Sequence, residues 1–223
     1  MQLDEKLYAA CFPFWPELSL AEQELLGQHS RQQSYLAGEN VHGGSGRCTG
    51  AIAVQEGSLR VYLLSGEGRE ITLYRLYPGD VCMLSASCVL SAITFSVFID
   101  AEQASQCLIL SGEAFAKVAE HNLKVKNFAL ETAVQRFSDI MWVMQQILFM
   151  SFDKRLAIFL EQERSRTGSN VIKLTQEQIA RYTGSAREVV SRMLKYFAAE
   201  QMVEYSRQGI KIINPAKLQA LIS

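Results

Sequence analysis

What this chain lacks narrows its function before anything it contains. No apolar run reaches the roughly 20 residues that span a bilayer, and the opening MQLDEKLYAA has no basic stretch followed by an apolar core. A cytoplasmic protein with no membrane partner is expected. Histidine is scarce, and His29, His42 and His121 show no H-E-x-x-H or other ligand spacing. The five cysteines (Cys11, Cys48, Cys82, Cys88, Cys107) are scattered, odd in number and contain no C-x-x-C. Reduced thiols and no structural zinc are therefore expected. Paired carboxylates, a Ser/His/Asp set and a phosphate-cradling glycine loop are also missing, so nothing positive supports an enzyme and no catalytic residue is assigned.

Charge of one sign is lacking only on average. The 223 residues carry a net −1, but residues 1–150 hold 10 Lys+Arg against 16 Asp+Glu, and residues 151–223 hold 12 against 7. The front is thus −6 and the back +5. Counter-ion release from DNA favours a basic surface, which places nucleic-acid binding in the last third and a sensing or regulatory role in the front. The length suits two domains, and a hydrophobic content of 48% supports real cores.

The strongest motif is Thr175 to Phe197, TQEQIARYTGSAREVVSRMLKYF. Ile179 and Ala180 line the inner face of a short helix, and Gly184 supplies a tight turn. A second helix is predicted to open at Ser185, with Glu188 completing an S-x-x-E capping box. Val189, Val190, Met193 and Leu194 form its apolar stripe, while Arg187, Ser191, Arg192 and Lys195 share the other side. This is the pattern of a helix-turn-helix, whose second helix enters the major groove of double-stranded DNA; an ordinary αα-hairpin is the plainer alternative. The following MVEYSRQGIKII (202–213) alternates like a hairpin and reads as a wing. Arg207 at its tip and Lys211 on the returning strand are placed to reach phosphates.

Residues 1–30 read as helical, with a Ser19/Glu22 capping box and Leu18, Leu25 and Leu26 facing inward. From Gln33 to Leu110 short β-formers broken by glycines predict an antiparallel barrel or jelly roll. A long helix is expected from about Lys124 to Met150. Leu130, Val134, Phe137, Met141, Met144 and Leu148 form a heptad seam, with Ala133, Ile140 and Ile147 beside it. One edge suits a symmetry mate and the other the barrel, against the alternative of a helix buried in its own domain. The expected architecture is α+β: residues 1–122 a β-roll with an N-terminal helix, 123–150 a dimerisation helix, and 151–223 a winged helix-turn-helix.

This order of parts resembles the Crp/Fnr superfamily of bacterial transcription regulators over essentially the whole chain. The likeness is carried by Gly57 in EGSLRVY, Gly79-Asp80 in PGD, RLAIFL, and above all GSAREVVSRMLKYF. The resemblance implies a cyclic-nucleotide-binding-like β-roll, a homodimer on an inverted-repeat DNA site, RNA polymerase as a partner, and a small-molecule effector. It also implies base reading by Arg187, Glu188 and Arg192, with Ser191 as in the Fnr branch. Chemistry agrees, since Arg reads guanine bidentately and Glu accepts from cytosine N4. Glu188 cannot cap and read at once, so a switch on binding DNA is expected.

Where cyclic-AMP-binding members carry a Gly-Glu-Leu segment and an Arg-Ser/Thr pair, this chain reads VCMLSASCVLSAITFSVF, without Arg or Glu. A phosphate there would lack a cationic partner. With Cys11 alone near the N-terminus, an iron–sulfur cluster is not expected either. The run VYLLSGEGREITLYRLYPGDVCMLSASC looks like the haem-binding, carbon-monoxide-sensing branch; its thiolate ligand falls on Cys82, but its histidine falls on Leu84. Haem through Cys82 is one option, and small buried hydrophobes at Cys82 and Cys88 the other. The effector pocket is expected between β-roll and long helix, lined by Cys82, Met83, Leu84 and Cys88 and by Phe137, Met141 and Met144, and suited to an uncharged or apolar ligand. A cupin-like metal- or small-molecule-binding β-barrel with an accessory helical domain is the alternative, but only His42 lies near the strands.

Overall fold

The computed structural model describes residues 4–43, 48–86, 96–206 and 208–222. The chain divides into two units: 1–68 with 73–140, and 69–72 with 141–223.

The first unit opens with helices α1 (Glu5–Cys11) and α2 (Leu20–Gln28) around a 3-10 turn at Trp15–Glu17. The capping box read from Ser19 and Glu22 is present in α2: Glu22 Oε2 accepts from the Ser19 backbone at 2.8 Å while Ser19 Oγ accepts from the Glu22 backbone. Among the described residues eight strands follow, the first three residues of β5 counting with the second unit: β1 (Ser30–Tyr35), β2 (Asn40–His42), β3 (Ala51–Glu56), β4 (Leu59–Leu64), β5 (Glu70–Leu76), β6 (Val81–Cys82), β7 (Phe98–Ala101) and β8 (Ser105–Leu110). They form two four-stranded sheets ordered β1-β8-β3-β6 and β2-β7-β4-β5.

The pleat explains why the apolar runs are continuous. Successive side chains of a strand point to opposite faces. On β3, Ala51 and Ala53 join the helix-side core with Leu108 and Leu110 of β8, whereas Ile52 and Val54 join the inner core with Cys107 and Ile109. Gly57 turns β3 into β4 at φ +85°, and a Cβ there would lie 2.5 Å from the Ala104 carbonyl oxygen. No other residue type satisfies both demands.

Helix α3 (Gly112–His121) leads into α4 (Leu123–Phe149), the predicted long helix. Val125 and Ala129 are buried in the helix-side core and Ile140 packs on the inner core. The opposite side stays open: Leu130 is 48% exposed, Val134 64%, Phe137 63% and Leu148 66%.

The second unit continues with α5 (Phe152–Thr167), β9 (Val171–Ile172), α6 (Gln176–Thr183), α7 (Arg187–Ala199), β10 (Val203–Ser206), β11 (Gly209–Ile212) and α8 (Pro215–Ile222). Its three strands pair in the order β10-β11-β9. Its core joins Leu156 and Leu160 of α5, Ile179 of α6, Val190, Leu194 and Phe197 of α7, and Ile210 and Ile212 of β11. A hairpin after two helices, with a third strand at its edge, is the winged form read from the sequence.

Candidate nucleic-acid interface

The interface is built on α6 and α7. Thr175 caps α6 reciprocally with Gln178, and Gly184 ends it in the left-handed region at φ +60°. Behind this turn Ser185 N–H donates to the Ala180 carbonyl at 2.9 Å. That bond takes Ser185 into the turn, so α7 starts two residues later, with Ala186 as its N-cap and no side-chain cap. The predicted Ser185/Glu188 capping box is therefore corrected. Glu188 sits exposed in the first turn of α7, where an acid is favourable to the helix dipole. Its carboxylate is not engaged as a cap there.

Along α7, Val190, Leu194 and Phe197 recur at four- and three-residue spacing and are fully buried. At 3.6 residues per turn, Arg187, Glu188, Ser191, Arg192 and Lys195 then occupy one continuous arc on the outside. Four of the five are exposed and Ser191 is half-buried. None of their side chains makes a hydrogen bond or ion pair among the described residues. Tyr196, 48% exposed, closes the arc, and the sequence reading missed it because an aromatic beside an apolar stripe reads as core.

Elsewhere in the unit the wing strands β10 and β11 pair Glu204 with Lys211 across the ladder, and Lys211 Nζ lies 2.9 Å from Glu204 Oε1. Both are about half exposed, so the pair contributes little to stability. Arg207 lies outside the described residues. Arg155 of RLAIFL was also missed. Its Nη1 donates to the Thr183 carbonyl at 3.1 Å, placing a cation on the C-terminal end of α6, and burial pulls its pKa below the usual guanidinium range.

The predicted effector residues do not stay together. Cys82 and Leu84 face the inner core and Met83 the helix-side core. Phe137, Met141 and Met144 are exposed on α4, and Cys88 lies outside the described residues. Cys82 is fully buried, its sulfur 3.8 Å from the Tyr74 hydroxyl. With that neighbour, a packed apolar shell and Leu84 in place of a second ligand, these residues do not fit a haem. Arg136 stands beside Tyr74, its guanidinium carbon 4.9 Å from the ring centroid. The expectation of reduced thiols fails at Cys48, which is disulfide-bonded, whereas Cys11, Cys82 and Cys107 are free. Spacing along the chain does not reveal which thiols meet in space.

Comparison with known proteins agrees with this geometry. Residues 154–221 match the Crp-like helix-turn-helix domain. The chain is 43% identical to a Crp/Fnr-family chain of known crystal structure from Eubacterium rectale, with a TM-score of 0.89 over 95% of this chain and 98% of that one. It is 27% identical to the nitrogen fixation regulation protein FixK of Bradyrhizobium diazoefficiens over 209 residues, 91% of this chain and 85% of that protein. The fold is also that of FixK2 from Bradyrhizobium japonicum, with a TM-score of 0.70 at 19% identity over 87% and 98% of the two chains. An N-terminal pair of antiparallel sheets, a long helix and an exposed, unengaged polar arc on the second helix of a Crp-like domain lead to one assignment: the chain is a transcription regulator of the Crp/Fnr family.

Proposed function

We propose that the chain acts in the cytoplasm as a homodimer on an inverted-repeat site in double-stranded DNA, each α7 reading one half. Arg187 donates to a guanine edge, Glu188 accepts from cytosine N4, and Ser191 and Arg192 complete the base contacts. Lys195, Lys211 and Arg207 meet phosphates, which position the helix and add affinity without sequence preference. The observation that carries this reading is the arc on α7, exposed and free of partners inside the protein.

Homodimer formation is supported by α4. Leu130, Val134, Phe137, Met141, Met144 and Leu148 share one exposed face, an apolar stripe that a single subunit leaves in water. A two-fold axis along it brings identical seams together. This pairing accounts for Phe137, Met141 and Met144 without an effector. Control by a small molecule then rests on the first unit, around Cys82, Met83 and Leu84 with Cys88. A ligand reaching Cys82 meets Tyr74 and Arg136 as well as apolar carbon. The effector class therefore extends from purely apolar molecules to those bearing a hydrogen-bond acceptor, cyclic AMP being disfavoured by its missing Arg-Ser/Thr pair. RNA polymerase is the partner through which DNA occupancy would act on transcription.

Selection from randomised duplexes tests the core of this reading. It should enrich a two-fold inverted repeat with half-site centres about one helical turn apart. Recovery of no preferred sequence, or of a single asymmetric half-site, would overturn it.

A further inference from the structure

Between Ala129 and Ile140 the long helix meets the β-roll through small or half-buried side chains. Such a surface holds a helix in place but fixes its rotation poorly, because dispersion is non-directional. Arg136 is different. It lies one turn before Ile140 on the same face, and its side chain is 13% exposed. Nη2 donates to Asp80 Oδ1 at 3.0 Å and Nη1 to Asp139 Oδ2 at 3.0 Å. Among the described residues no other side chain of α4 in this stretch has an ion pair to the β-roll.

The other end of the contact is rigid. Asp80 Oδ2 accepts the Tyr77 N–H at 2.9 Å, and the same turn is tied to β3 twice: Gly79 N–H donates to the Val54 carbonyl and Val54 N–H to the Asp80 carbonyl, each at 3.0 Å. The guanidinium rests on the Tyr74 ring. Burial works against the charged form of Arg136, yet its bonds to Asp139 and Asp80 outweigh this and raise its pKa.

We infer that Asp80 and Arg136 form a latch that sets the rotation of α4 about its own axis, and with it which apolar side chains the helix presents outward. One residue along a helix is a 100° turn. With Arg136 bound to the Tyr77–Asp80 turn, Leu130, Val134 and Phe137 point away from the β-roll. Release of Asp80 lets α4 roll and blurs that face. A ligand that competes for the guanidinium would act on subunit pairing by this route, so the latch makes Arg136 a positioning residue.

Amide hydrogen exchange on the full chain tests the latch directly. Asp80→Asn keeps an acceptor for the Tyr77 N–H and leaves the fold intact, but it removes the charge facing Arg136. Exchange across residues 133–140 should rise roughly three- to tenfold over wild type, while α6 and α7 stay unchanged. Arg136→Met should act alike, and the double variant should exceed neither single one, because both remove the same contact. Unchanged exchange in Asp80→Asn, or two effects that simply multiply, would overturn the latch. Sedimentation of the same proteins reads the consequence for pairing, which rests on the homodimer reading; a wild-type chain that stays monomeric defeats that reading, while exchange still decides the latch.

Discussion

Helices α4 and α7 solve the same local problem and leave opposite surfaces behind. Each buries one stripe: Val125, Ala129 and Ile140 on α4, and Val190, Leu194 and Phe197 on α7. On α7 the remaining surface is Arg187, Glu188, Ser191, Arg192 and Lys195. On α4 it is Leu130, Val134, Phe137, Met141, Met144 and Leu148. Water already solvates the first set, so its grouping gains nothing for the folded chain, and the proposed reading gives it base edges and phosphates to meet. Water opposes exposure of the second set, so that face gains most by covering with a like surface. The buried stripe therefore tells how each helix folds, and the exposed one is where the proposed partners are sought.

The contrast is broken most strongly by placing charge on the apolar face. Met141→Glu should bury two like charges at the two-fold axis and weaken the dimer by about 3–5 kcal/mol, two orders of magnitude or more in Kd. Sedimentation equilibrium measures this, and an unaltered dimer would move the seam off this face. Next comes the buried stripe of α7. Leu194→Ala should lower the stability of the DNA-binding unit by about 2–5 kcal/mol, through lost burial and the cavity left behind. Denaturant unfolding followed in that unit reads it, and a change below 1 kcal/mol (roughly the scale of a surface substitution) would deny the residue its core role.

Smaller effects belong to the polar arc. Arg187→Ala should cost about 1–3 kcal/mol against the correct guanine and relax the preference at that base pair. A repeat selection in which the variant keeps the wild-type preference would remove Arg187 from base reading. The smallest change is expected at the wing. Lys211→Ala should weaken binding evenly across sequences and lower the salt slope by about one. Glu204→Gln should do the reverse, because it frees Lys211 from its 2.9 Å partner; titrations at several salt concentrations separate the two, and equal slopes would take Lys211 away from phosphate.

Much of this was legible in the residues because it is periodic or local. The α7 stripe, the αL turn at Gly184, the caps at Ser19 and the alternation of the wing depend on neighbours within about one turn or one hairpin. The cap expected at Ser185 failed for an equally local reason: the turn's own bond to the Ala180 carbonyl claimed that residue first. Arg136 escaped notice because a cation on a mostly apolar helix reads as solvated until its partner is known, and Asp80 stands 56 residues away in the chain. The effector set dispersed where β6 ends at Cys82 and the chain turns: Met83 joins the helix-side core while Cys82 and Leu84 join the inner core.

By itself the sequence determined the element types, the faces of the helices and the basic end that meets DNA. Those follow from side-chain period and charge, which are properties of short stretches. Only the tertiary structure decided which charges are neutralised, which thiols are joined and which carbonyls are taken. Arg136 on Asp80, Cys48 in a disulfide and Arg155 on the Thr183 carbonyl all depend on distant groups arriving within a few ångströms, because hydrogen bonds and ion pairs are short-ranged and directional whereas apolar burial is not.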